Sequence, residues 1–214
     1  FDEMVTDWQA VDLARIQAFH GRFVSAAHAE VAVVGDIDAV AVREALERHL
    51  SSWTKPEPFE RIATPLLKDS PIRMQLSTPD KQNAAMTVAL ALPLNDRHPD
   101  YAAFMMANHL FGSGGNSRLW NRIREKEGLS YNVYSTVQWN PIEENSQWMA
   151  AAIFAPQNRA KVEKAFKEEV NKAIEQGFTQ AEFDAGKKGL LSFRRLARAQ
   201  DNRLAASWAS NLYL

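Results

Sequence analysis

Residues 117–135 read SRLWNRIREKEGLSYNVYS, and the fold turns on how this run is parsed. Leu119 and Ile123 stand one helical turn apart among charged neighbours, so they mark the covered face of a helix. Arg118, Arg122 and Lys126 are expected to face water, with Arg124 half covered on a flank, one turn after Trp120. Gly128 then ends the helix, because glycine enters the left-handed conformation of a helix terminus without steric cost. Beyond it the aromatic-rich run from Ser130 predicts a strand over 130–139. A helix running through one glycine into a strand places Arg124 and Tyr131 on either side of the turn, seven residues apart.

Working outward, a helix is expected from Pro99 to about Phe111, broken by Gly112-Ser113-Gly114-Gly115, with Asn116 or Ser117 capping the helix that follows. The four-residue break reads as a flexible turn that lets two helices reverse. A second strand over 146–154 follows the turn-prone 140–145 and should pair with 130–139 as an antiparallel hairpin. Val162, Ala165, Phe166, Val170, Ala173 and Ile174 then form an amphipathic helical face stopped by Gly177. Thr179-Gln180-Ala181-Glu182 has capping-box form and opens a long final helix.

Toward the start, Thr6-Asp7-Trp8-Gln9 also has capping-box form, and a helix is expected over 7–24. The β-branched run 30–36 reads as a buried strand, and Asp38 as the cap of a helix carrying Val42, Ala45, Leu46 and Leu50. Pro56, Pro58 and Pro65 mark a loop, after which strands are expected over 72–78 and 84–92, pairing antiparallel. The order αβα, ββ, αα, ββ, αα predicts an α+β fold, with helices layered on a largely antiparallel (mixed) sheet. The chain is expected to be a single domain over 1–214, and its start at Phe1 and stop inside a helix read as a piece of a longer protein.

Composition narrows the function classes. Lys and Arg total 25 against 26 Asp and Glu, so no global field recruits nucleic acid or an anionic membrane. Lys187, Lys188, Arg194, Arg195, Arg198 and Arg203 scatter around the final helix as a solvated face, without the interleaved aromatics of a nucleic-acid stripe. The absence of Cys removes disulfides, thiolate nucleophiles and Cys-based zinc sites. No apolar run approaches the roughly 20 residues that span a bilayer.

The Gly112–Gly115 run follows a helix and lacks the Lys-Ser/Thr of a P-loop, and no Ser lies in a nucleophile elbow. His20, His28, His49, His98 and His109 include no H-x-x-E-H, so no metal site is expected within this chain, and His109 reads as a core or boundary residue. Arg124 and Tyr131 remain. Such residues commonly border helix ends as ordinary surface chemistry; equally, a permanent cation and a neutral hydroxyl donor together suit a carbonyl oxygen that gains negative charge.

Resemblance bears on that choice. The run SRLWNRIREKEGLSYNVYS, preceded by FGSGGN and, far upstream, by AEVAVVGDID, resembles the carboxy-side domains of the pitrilysin, insulysin and mitochondrial processing peptidase family of zinc metallopeptidases. R-E-K-x-G-L-x-Y carries most of the likeness, which extends more weakly over nearly the whole chain. The resemblance implies the metallohydrolase fold of that family, in which two halves close as a clam-shell around a peptide. One half holds zinc on H-x-x-E-H, and the other supplies an Arg and a Tyr seven residues apart that grip the substrate backbone. Arg124 and Tyr131 match that pair, whereas the zinc motif has no counterpart here.

The implied function is the substrate-binding, non-zinc half of a zinc endopeptidase. It would carry no catalytic group or metal of its own and be inactive alone, with peptide as substrate. Zinc would belong to a catalytic half in the same polypeptide or a partner subunit. The alternative is a non-catalytic peptide-binding or scaffold domain, as in the core subunits of the respiratory cytochrome complex. Neither nucleic acid nor membrane is an expected partner, and by family analogy the setting is periplasmic or secreted.

Overall fold

The expected hairpin and the strand upstream of it assemble into one three-stranded sheet in the computed structural model, which describes residues 2–54, 57–58, 60–67 and 70–213. The strands are β1 (Ala84–Leu92), β2 (Ser130–Gln138) and β3 (Ser146–Phe154), and the helices are α1 (Asp2–Gln9), α2 (Leu13–Phe23), α3 (Ala39–Leu50), α4 (Tyr101–Asn108), α5 (Arg159–Gln176), α6 (Gln180–Arg198) and α7 (Asp201–Tyr213). Wide, π-type turns at His109–Ser113 and Trp120–Lys126 complete the helices around the chain reversal at 114–117. The chain divides into two compact units, Thr64–Leu196 and Phe1–Ala63 with Ala197–Leu214, and each is described by itself.

In the first of these, β3 lies between β1 and β2 and is antiparallel to both. Its inward residues Ala150 and Ala152 are small, so helices approach the sheet closely. Val133 and Phe154 share the core with Val162, Ala165 and Phe166 of α5 and with Leu119 and Ile123 from the helix before β2. Leu119, Ile123, Val133 and Val162 are fully buried, each contributing about 1.5–3 kcal/mol through removal of apolar surface from water. One polar knot interrupts this core: buried Asn108 accepts hydrogen bonds from Ser135 Oγ at 2.7 Å and Trp148 Nε1 at 2.9 Å. Both acceptor positions of a single amide oxygen are thereby used, tying α4 to two strands.

Gly112 belongs to this packing rather than to a flexible turn. A Cβ there would lie 2.2 Å from Ser135 Oγ, so glycine is what lets the π-type turn His109–Ser113 settle on β2. The helical break starts later, where Gly114 N–H bonds back to His109 O at 2.9 Å. His109 is half-buried beside it, and desolvation lowers its pKa, in keeping with a boundary residue.

In the other unit, Asp38 caps α3 as expected, accepting from Val40 and Ala41 N–H at 2.9 and 3.2 Å. The helix expected over 7–24 is two helices. Asp12 accepts from Arg15 N–H at 2.8 Å and starts α2, while the supposed capping box Thr6–Gln9 lies inside α1. The final helix is likewise divided, with Gln200 O accepting from Arg203 and Leu204 N–H at the start of α7.

Two expected strands do not form among the described residues. Over 30–36 the backbone is unladdered, with Val31 46% and Val33 43% exposed. Over 72–78, Ile72, Met74 and Leu76 are 80%, 73% and 80% exposed. β-Branched and alternating apolar sequence favours an extended chain, but a strand exists only where a neighbour completes its hydrogen bonds. Pro56 lies outside the described residues, whereas Pro58 and Pro65 fall in irregular chain as expected.

Candidate functional site

Arg124 is presented by a helix end with two anchors. Ile123, the residue before it, is fully buried, and Gly128 closes the helix at φ 59°. The N–H groups of Gly128 and Leu129 bond to the carbonyls of Arg124 and Ile123 at 3.0 and 2.9 Å. Carbonyls that a helix end leaves open are satisfied in this way, and the chain reverses within one turn. Asn158 Nδ2 donates to Leu129 O at 3.3 Å and fixes the entry into β2.

Tyr131 follows at an irregularity in the ladder. Ser130 pairs with Phe154 and Asn132 with Ile153, leaving Tyr131 as the extra residue of a β-bulge on the outer strand of the sheet. Alternation therefore breaks here: Ser130 and Val133 both face inward, and Tyr131 stands 81% exposed. Ser130 is 6% exposed, with its hydroxyl 2.8 Å from Asn132 O and 2.7 Å from Ile153 O.

The two side chains meet. Arg124 Cζ lies 4.0 Å from the Trp120 ring centroid and 5.3 Å from that of Tyr131, so the guanidinium is held by cation–π attraction to both. Its side chain is 36% exposed, and its only recorded ion-pair neighbour among the described residues is Glu125, 3.7 Å from Nε. Most of its five N–H donors thus remain free to bond an incoming acceptor. Trp120 stands one turn before Arg124, as the sequence spacing requires.

The other cations of this helix depart from expectation, apart from Lys126, which is exposed. Arg118 is 8% exposed rather than facing water. Its Nε and Nη2 donate to the Glu182 carboxylate at 2.7 and 2.9 Å, Nη2 also donates to Gly177 O at 2.8 Å, and Cζ lies 4.4 Å from the Phe178 ring centroid. That hydrogen bond, acting against desolvation and aided by Thr179 N–H and Oγ, holds the Glu182 carboxyl at about 2. Glu182 still closes the capping box, so one carboxylate serves both tasks. Arg122 is only 32% exposed and is engaged by Glu127, Glu168 at 2.8 Å and Glu169 at 3.7 Å. Periodicity along the helix put these arginines on the polar face; α5 supplies Glu168 and Glu169 there, α6 supplies Glu182, and Glu127 comes from the helix's own end.

Among the described residues no three or more His, Asp or Glu side chains converge as metal ligands would. No helix among the described residues is long and apolar enough to cross a membrane.

Comparison with known families matches residues 10–190 to the domain described as the peptidase M16 inactive domain. The chain belongs to that family. This M16 domain is 26% identical over 181 residues to an uncharacterized zinc protease of Mycobacterium bovis, covering 83% of the chain and 40% of that protein. It is 31% identical over 114 residues to a non-peptidase homolog of Helicobacter pylori, covering 52% of the chain and 26% of the homolog. Among solved structures, a protease from Helicobacter pylori superposes with TM-score 0.76 at 19% identity over 97% of the chain and 51% of its own. A peptidase M16 inactive domain from Pseudomonas fluorescens gives 0.69 at 21% identity, over 94% and 47%. These likenesses establish the α+β fold expected from sequence, and the M16 domain spans less than half the length of the mycobacterial relative.

Proposed function

We propose that this chain is the substrate-binding, non-zinc half of a zinc metalloendopeptidase, with Arg124 and Tyr131 gripping the backbone of a peptide. The observation that carries this reading is the junction itself: a turn and a bulge bring an exposed phenol to a guanidinium whose donors are largely uncommitted. A peptide carbonyl accepts from both groups, and any negative charge it develops meets a fixed cation and a neutral donor. Trp120 restricts the guanidinium beforehand, which lowers the rotamer entropy lost on binding. Zinc chemistry belongs in this reading to a separate half, on the same polypeptide or a partner subunit, and residues 1–214 act as one domain that cleaves nothing alone.

A second reading, a peptide-binding or scaffold domain without catalysis, is favoured by the description of the Helicobacter pylori relative as a non-peptidase homolog. One experiment separates the two. The chain assembled with its zinc-bearing half is given an internally quenched fluorogenic peptide, read as kcat/KM, and the same peptide is titrated under zinc chelation for Kd. Tyr131→Phe removes one donor and keeps the ring, and is expected to lower kcat/KM by roughly ten- to a thousandfold. Lys126→Ala, exposed on the same helix, serves as the control. Binding without cleavage supports the second reading, and wild-type values for Tyr131→Phe in both measurements refute the grip.

A further inference from the structure

Ser130 does something that strand propensity does not require. It is buried at the point where the ladder between β2 and β3 slips, and its hydroxyl faces two backbone carbonyls at once, Asn132 O at 2.8 Å and Ile153 O at 2.7 Å. A hydroxyl has one hydrogen to donate, so it serves the two carbonyls alternately or in a shared bond. These carbonyls flank the irregular step on both strands, where the regular ladder is locally disrupted. A donor placed between them favours the bulged register over the regular one. The register matters because side chains alternate along a strand: in a regular ladder Tyr131 would share the face that Val133 occupies.

We propose that Ser130 is the positioning residue of the Arg124 and Tyr131 pair, its hydroxyl fixing the bulge that turns Tyr131 out of the sheet beside Arg124. The inference rests on the reading of that pair as a peptide grip. Ser130 itself touches no substrate. Its contribution passes entirely through where the Tyr131 hydroxyl stands, and this distinguishes it from a residue that merely stabilises β2.

A double-mutant cycle on the assembled protein tests the inference, using the same fluorogenic peptide for kcat/KM and for Kd under zinc chelation. Ser130→Ala is expected to weaken both about tenfold, since a small displacement of a positioned donor forfeits much of its effect. In a Tyr131→Phe background the same change should cost less than about twofold, because the hydroxyl it positions is already gone. Hydrogen exchange of the segment 129–133 should quicken in Ser130→Ala. Ser130→Cys, close in size but a weak donor, goes through the same cycle and keeps the test decisive should the alanine variant fail to fold.

Equal losses in the two backgrounds would show Ser130 acting on the strand at large and overturn the inference. So would wild-type function in Ser130→Ala alongside an impaired Tyr131→Phe, a result that leaves the grip standing. Wild-type function in Tyr131→Phe itself removes the grip, and the positioning role with it.

Discussion

The Arg118 and Glu182 pair allows a prediction whose size follows from the structure. Glu182→Gln keeps the shape of the side chain but removes the charge that Arg118 Nε and Nη2 bond at 2.7 and 2.9 Å. The carboxyl titrates at about 2 in the folded chain against an ordinary 4.5, a depression that alone corresponds to about 3 kcal/mol. Glu182 is 34% exposed, however, so water shares its charge, and about 1–2 kcal/mol is the realistic part. Arg118, 8% exposed, is left with Gly177 O and a neutral amide oxygen, which raises the expected loss to about 2 kcal/mol at pH 7.

The pH dependence has a definite sign. The folded pKa is depressed, so the stabilisation is complete above about 4.5 and is lost as pH falls from there toward 2. Urea unfolding followed by circular dichroism should therefore show a gap of about 2 kcal/mol between wild type and Glu182→Gln at pH 7, with most of it closed by pH 3. Arg118→Met completes a double-mutant cycle and isolates the pair from the Thr179 bonds that Glu182 also accepts. A gap below about 0.5 kcal/mol at pH 7, or one that persists unchanged at pH 3, would refute the argument.

Gly112→Ala should destabilise by about 2–3 kcal/mol in the same assay, because the new methyl meets buried Ser135 Oγ, which cannot withdraw without leaving Asn108; a loss under 1 kcal/mol would contradict the close approach. Metal analysis of the purified chain after extensive buffer exchange should find no stoichiometric zinc, and one tightly held zinc per chain would contradict the ligand inventory.

How far the sequence carried depended on whether a feature was local. Asp38, Gly128, Gly177 and the Thr179 box act within a turn of themselves, and each terminates or starts a helix where expected. The hairpin of 130–138 with 146–154 was also legible, since each run is bounded by turn chemistry, whereas 84–92, expected to pair with 72–78, pairs with 146–154 instead. Arg118 was misread because periodicity divides a helix into faces without saying what covers the polar one; here Glu182, 64 residues on, supplies the partner. Gly112 was grouped with its glycine neighbours when its role is to admit β2. The bulge left a trace in Tyr131 and Asn132, two adjacent non-core positions between Ser130 and Val133, but only the register with β3 turns that trace into geometry.

The site's position on the fold bears on how it would work. A grip on a peptide backbone must be rigid in position yet open to solvent, and neither a loop nor a core strand meets both demands. Here each exposed group has a buried anchor close by in sequence: Ile123 before Arg124, Ser130 before Tyr131 and Val133 beyond it. The helix end keeps Arg124 outside the core while the bulge turns Tyr131 away from the face that Val133 occupies. Trp120 then limits the one flexible member, since a free arginine would lose up to about 2 kcal/mol of side-chain entropy on being fixed by a ligand. Three local devices, a platform, a glycine turn and a bulge, therefore converge on one pair of side chains. A surface arginine and tyrosine without a common ligand would need none of them to coincide.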